Sequence, residues 1–525
     1  MRDIRPILVL ALAGCSSDMS SAEGGSYGYT DATSGGDYDA DADTDSDADA
    51  DTPAPETEDD RLGLPPAQTD VYVFVPNPDR DTVTRLDVNT LEVRTASVGS
   101  EPTIVKTTPD WRTAVVFNRA DDSVTILDAD SLEGEDVDVR DNFNQMVMSP
   151  DGAFVVLWHD IAAEQPDDPP AEGLQSFNEC SFVDVATGEH FPMAVGFNPK
   201  NVVFTPDGDL ATVISDQYLA VVDLTVPEPA PRLIEISEDL LDPLVAEEVV
   251  ISPQGEFAFV RQFGATDILV VDLERETVEH VPVGSNPTDL DLTPDGDTAA
   301  VVTRASGELY LLDTANPFAP ADVVTLPIGS AYGSILYAPT GETAVLYATA
   351  TLTDRYASFD VATSEITERS LEKPVASMVI TPTGESMLVF HTKADADGAD
   401  TSSPFFGEWA LTVISLDDFR SNPLLLPAEP IGYANANNGE YGYFIMDSVD
   451  FLEVIDYTTL LHEEIPLASP PLYVGVLPDL DLGDGLEPPA WVSQEHHLGR
   501  ITLYDPVTGE TDTITGFELN SAIED

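Results

Sequence analysis

Basic side chains are scarce in this chain. Only 21 Lys and Arg stand against 97 Asp and Glu in 525 residues, a formal net charge of -76, and just four lysines are present: Lys106, Lys200, Lys373 and Lys393. A phosphate backbone needs a basic footprint, so the charge argues strongly against nucleic-acid binding and against docking on anionic lipid. The acidic excess keeps the chain soluble through self-repulsion and reads as surface adaptation to a saline or secreted setting. Two cysteines, Cys15 and Cys180, cannot build a disulfide framework. No apolar run is long enough to cross a bilayer as a helix. The chain also lacks a glycine-flanked nucleophile elbow, a P-loop, a paired-cysteine motif and a dinucleotide fingerprint. Neither His496-His497 nor His462-Glu463-Glu464 has zinc-ligand spacing.

What is present is repetition. A run of apolar residues ending in aspartate recurs ten times, at Asp87, Asp128, Asp184, Asp223, Asp272, Asp313, Asp360, Asp417, Asp456 and Asp505, with a mean period of about 46 residues. Turn signals precede most of them, among them Thr108-Pro109-Asp110, Ser149-Pro150-Asp151-Gly152, Thr205-Pro206-Asp207-Gly208 and Thr293-Pro294-Asp295-Gly296. Each unit holds four short β-rich segments, a to d, so the expected fold is an all-β propeller of about ten four-stranded blades. The first unit begins at segment b, and Gly516 to Asp525 follows the last segment d as another segment a would. The C-terminal strand is therefore expected to close the ring on the first blade. Successive anchors lie 41, 56, 39, 49, 41, 47, 57, 39 and 49 residues apart. The recurrence of 56, 39, 49 as 57, 39, 49 suggests a duplicated five-unit half and makes two five-bladed rings the rival to one ring. The uninterrupted hairpin from Asp291 to Val302 leaves no linker at that junction and favours one ring.

The segments Tyr72-Val73-Phe74-Val75-Pro76-Asn77 and Thr82-Val83-Thr84-Arg85-Leu86-Asp87, and the second unit with Pro102, Pro109-Asp110 and Ser123 to Asp128, resemble the YVTN-type and lactonase-like propeller repeats. That resemblance covers almost all of residues 70 to 525 and specifies a fold better than a function. The families it points to are usually seven-bladed, so it places no site. At the other end, Arg2 and Arg5, the apolar stretch Ile7 to Ala13 and Leu12-Ala13-Gly14-Cys15 resemble a bacterial lipoprotein signal and lipobox, with Cys15 acylated. The resemblance implies a membrane partner through a lipid anchor and an outer-membrane or cell-surface location. The expected organisation is a signal over residues 1–15, a disordered acidic Ser/Gly/Asp-rich linker over 16–66 and the propeller over 67–525.

Candidate chemistry gathers near the b to c connections. Arg119, His159, Arg261, Arg304, His391, Lys393 and His496 all fall at the end of segment b and are expected to share one face. A ring of such donors suits carboxylate or phosphate groups, which makes a small anionic ligand one partner class and an envelope protein the other. The bland reading pairs them with nearby acids. Two long connections, Ile161 to Gln175 and Ala394 to Gly407, fall five units apart and would face each other across one mouth of a ten-bladed ring. In the tenth unit Asp479, Asp481 and Asp484, with Gly483 and Gly485, resemble the calcium loops of integrin-type propellers, with a departure in spacing at Gly483, so calcium is the candidate cofactor. Cys180, between Phe177 and Phe182, reads as a buried apolar residue. The leading reading is a non-catalytic, lipid-anchored binding or scaffold module; the alternative is a lactonase-like hydrolase using His159 and His391 with a divalent metal.

Overall fold

The computed structural model describes residues 66–163, 176–237, 246–262, 264–478, 488–496 and 498–517. These residues form forty short strands arranged as ten four-stranded antiparallel sheets, each in the order a-b-c-d. The blades span residues 67–97, 102–138, 145–194, 201–235, 246–282, 287–325, 334–370, 377–425, 430–466 and 471–515. Strands a of neighbouring blades approach one another, as in blades 5 to 6 and 6 to 7, so they form the inner wall of a ring. Strands d carry mostly exposed side chains, as in Thr277–Pro282 and Glu365–Ser370, and form its rim.

The core explains why one ring forms. Strands b and c are buried on both sides, as in Thr298–Thr303 and Ser123–Asp128, and read as continuous β-branched runs because a blade packs against a neighbour on each face. Among the described residues there are ten apolar clusters, one at each junction between consecutive blades. The junction of blades 5 and 6 is filled by Phe259, Val270, Leu290 and Val301 like any other, and that of blades 10 and 1 by Trp491, Leu503, Val73 and Leu86. Two separate five-bladed rings would need cores between blades 1 and 5 and between 6 and 10 instead. The structure is a single ten-bladed β-propeller.

Closure differs from the expectation. The inner strand of blade 1 is Ala67–Gln68, paired through Ala67 with Phe74 and Gln68 with Val73, so the first unit does have its own segment a. Two residues are too few to show a strand period in sequence. Gln68 then ties the ring shut: its amide nitrogen donates to the Val476 carbonyl at 2.5 Å and its amide oxygen accepts from Trp491 Nε1 at 2.5 Å. Phe517 packs into the same junction, and residues 518–525 lie outside the described residues.

The anchor aspartates are turn-formers. At the end of strand c, Asp87 Oδ1 accepts from the backbone N–H groups of Asn89 and Thr90, and Asp456 Oδ1 does the same for Thr458 and Thr459, an Asx turn that starts the c–d hairpin. Blade 8 corrects the register. There Ser386 pairs with Ser415, as Thr343 pairs with Asp360 in blade 7, so Ser415 and not Asp417 holds the anchor position. The spacing 57, 39 becomes 55, 41, which loosens the numerical match between the two halves. The a–b turns interlock around the ring: Gly296 has φ +73, and a Cβ there would lie 2.0 Å from Pro253 Cγ of the preceding blade. In blade 2 the same turn position is held by Trp111 at φ 63.

Candidate functional site

The b–c and d–a connections emerge on one face, and the position that ends strand b decides what that face can do. By strand register it is occupied by Asn77, Asn118, His159, Ser215, Gln262, Thr303, His391 and Gln494 in eight blades, all buried. These side chains hold the fold. Asn118 Nδ2 donates to Ser123 and Thr125 Oγ atoms at 3.1 and 2.9 Å. Gln494 Oε1 accepts from Ala468 and Ser469 N–H groups on the connection entering blade 10. His391 Nδ1 lies 2.8 Å from the Pro374 carbonyl, and its Nε2 lies 2.8 Å from Thr412 Oγ1. A carbonyl only accepts, so Nδ1 carries the proton and Nε2 accepts from the threonine hydroxyl. Burial pushes the His391 pKa down to about 4, which keeps the ring neutral. His159 makes the corresponding contact, Nδ1 to the Asn142 carbonyl at 2.6 Å, with its ring edge-on to Phe177.

The basic residues do share this face, and each is tied to its own surroundings. Arg261 Nε and Nη1 contact Glu248 and Glu247 at 2.8 and 2.9 Å. Arg119 and Arg304 stand just past the ends of their strands b and are engaged by neighbouring groups, as is His496. Lys393 lies over the Trp409 ring, 5.9 Å from its centroid. Cys180 is buried in the junction of blades 3 and 4, and burial raises its thiol well above the ordinary range, so it stays protonated. Asp479, Asp481, Asp484, Cys15 and residues 164–175 of the third unit's long connection lie outside the described residues. Among the described residues no group of three or more His, Cys, Asp or Glu is placed to hold a metal.

Sequence reasoning missed a second set, the acids of the inner strands. Glu248 Oε2 of blade 5 accepts from Leu290 N of blade 6 at 2.9 Å, and Asp289 Oδ2 of blade 6 accepts from Ile335 N of blade 7 at 2.5 Å. Both stand just after a bulge in strand a and bridge to the unpaired edge of the next inner strand. Burial, then the charge of Asp289, pushes Glu248 up to about 7, although its side chain still exposes 22 % to the channel. Asp291 is raised well above the carboxylate range by burial and by Asp289 and Glu248. The signal available in the sequence was acid inside an otherwise apolar strand a, hidden by the acidity of the whole chain.

The eighth unit's long connection is built in. Lys373, 1 % exposed, reaches from the d–a connection to Asp395 at 2.6 Å and to the Phe405 carbonyl at 3.0 Å, while Asp395 Oδ2 accepts from Gly407 N–H at 2.9 Å. At this end of the ring the connections of blades 7 and 8 and the starts of inner strands in blades 9 and 10 expose Ile328, Leu352, Phe406, Ile431, Leu472 and Tyr473 along an arc of blades, and Ile161 and Phe197 are exposed at blades 3 and 4. Exposed Asp397, Asp400, Asp447 and Asp450 rim that arc.

Neither a protein-family model nor a curated protein matches the sequence. Solved structures are similar at low identity. A dihydro-heme d1 dehydrogenase, NirN, in complex with DHE is 15% identical, with 74% of this chain and 78% of that chain covered and a TM-score of 0.43. Kuenenia stuttgartiensis hydrazine synthase is 17% identical over 60% of this chain and 97% of that one, with a TM-score of 0.29. A eukaryotic initiation factor is 10% identical over 76% and 97%, with a TM-score of 0.49. At these values the similarities assign no activity. The propeller itself supports a binding or scaffold module, a rigid ring presenting loops on a flat face.

Proposed function

We propose that this protein is a lipid-anchored, extracytoplasmic propeller that binds an envelope protein on its b–c face. The observation that supports it most is the exposed apolar arc of blades 7 to 10 around the pinned connection 394–407. Apolar side chains gathered on one face of a soluble scaffold mark an interaction surface, and the aspartates beside them select a partner with basic flanks. In this reading Cys15 carries the lipid and residues 16–66 hold the ring away from the membrane. Replacing Cys15 with Ser moves the protein from the membrane to the soluble fraction; unchanged fractionation contradicts the anchor.

A second reading, capture of a small anionic ligand, draws on Lys106. It lies on the inner strand Pro102–Thr107, no ion pair engages it among the described residues, and burial lowers its pKa. Lys106→Met is then expected to weaken carboxylate binding more than Arg261→Lys does, since Arg261 is already held by two glutamates. The hydrolase alternative lacks support of this kind, because both ring nitrogens of His391 are engaged within the fold. A purified ring that opens lactones would reinstate it.

A further inference from the structure

We propose that the channel wall between blades 6 and 7 contains a site for a protonated amine, framed by the Asp291 carboxylate and the Tyr337 hydroxyl. Asp289 and Asp291 stand two residues apart on the inner strand Pro287–Leu292, so their side chains leave the same side. Asp289 reaches Ile335 N of blade 7. Tyr337 stands two residues beyond Ile335 on Ser334–Tyr337, which sets it opposite Asp291. Tyr337 is 8 % exposed, and its hydroxyl is buried with no hydrogen-bond partner among the described residues. Buried hydroxyls are ordinarily paired, so an orphan one facing a carboxylate marks a missing third group.

The carboxylate is equally short of partners. Among the described residues Asp291 accepts only from the N–H of its own neighbour Leu292, at 2.7 Å. Arg261 is taken up by Glu247 and Glu248, and Asp289 accepts from the N–H groups of Leu290 and Ile335. Burial first, then Asp289 and Glu248, raises Asp291, while burial first, then Asp291, raises Tyr337. Burial is the larger cause of both shifts, and the neighbouring acids add to it, so a cation seated here would favour the ionised carboxylate. A divalent metal does not suit the geometry, since no three ligating groups converge among the described residues. An ammonium does: it supplies one positive charge, and its N–H donors can meet both the carboxylate and the phenol oxygen. The same group is carried by a small diamine and by a lysine side chain of a partner.

Titration calorimetry of the full chain tests this, in salt high enough to screen the acidic surface. The probes are cadaverine, a lysine-bearing neutral peptide, and tetramethylammonium, which has the charge but no N–H donor. Cadaverine or the peptide is expected to bind at one site, about tenfold more weakly in Asp291→Asn and about threefold more weakly in Tyr337→Phe, with tetramethylammonium unable to compete. Binding of cadaverine assigns the site to small amines, and binding of the peptide alone assigns it to a macromolecular lysine. Equal affinity of wild type and both variants, or full competition by tetramethylammonium, overturns the site. Should Asp291→Asn fail to fold, Tyr337→Phe, which removes one oxygen and leaves the ring in place, decides it.

Discussion

Single side chains set both the turns and the titration of this ring. Gly296→Ala forces a Cβ against Pro253 at a left-handed backbone position, and is expected to lower stability by about 1 to 3 kcal/mol in a urea titration, mostly through strain. Glu248 titrates near 7 in the folded ring, above its ordinary 4.5. The folded state therefore holds a proton between those values that the unfolded chain has released. Its stabilising contribution is complete below pH 4.5 and is lost as pH rises through 7. Melting temperature is expected to fall over that interval, with the slope reduced in Glu248→Gln, which still accepts from Leu290; an unchanged slope contradicts the shift. The strand-end residues show what was hidden at this scale. His159 and His391 were visible as histidines near a loop, but their hydrogen bonds run to Asn142 and Pro374, seventeen residues earlier, and no local pattern reveals that a crossover carbonyl waits there.

At the scale of elements, the pinned connection of blade 8 carries the clearest expectation. Lys373 and Asp395 form a buried pair, and removing one partner leaves the other without its opposite charge. Lys373→Ala is expected to cost about 3 kcal/mol and to raise hydrogen exchange over 394–407 before the strands of the same blade open. Protection unchanged in that segment would show that the pair does not order it. Strands and hairpins were largely legible, because β-branched runs and Pro-Asp-Gly turns are local signals. Ala67–Gln68 was not, since a two-residue strand has no period, and Ser415 was masked by Asp417, which offers the expected residue type two positions late. The pairing of Lys373 with a loop 22 residues onward was beyond local reading for the same reason.

For the whole molecule, ten junction clusters and the two hydrogen bonds of Gln68 close a ring in which, among the described residues, blade 1 takes all four strands from residues 67–97. Gln68→Ala is expected to lower the melting temperature and expose Trp491 to fluorescence quenchers, while an equivalent change at rim residue Thr277 does neither. Repetition made the ring legible from sequence; its partner was not, because an exposed apolar arc is assembled from Ile328, Leu352, Phe406, Ile431 and Leu472, residues scattered over five connections and strand starts. Site-specific photocrosslinking in the native envelope tests the binding face most directly. With the crosslinker at Phe406 on the b–c face, and in a separate variant at Phe318 on the opposite face, a discrete adduct is expected from Phe406, lost on Leu352→Asp, and none from Phe318. Adducts of equal yield from both positions, or from Phe318 alone, would contradict the account.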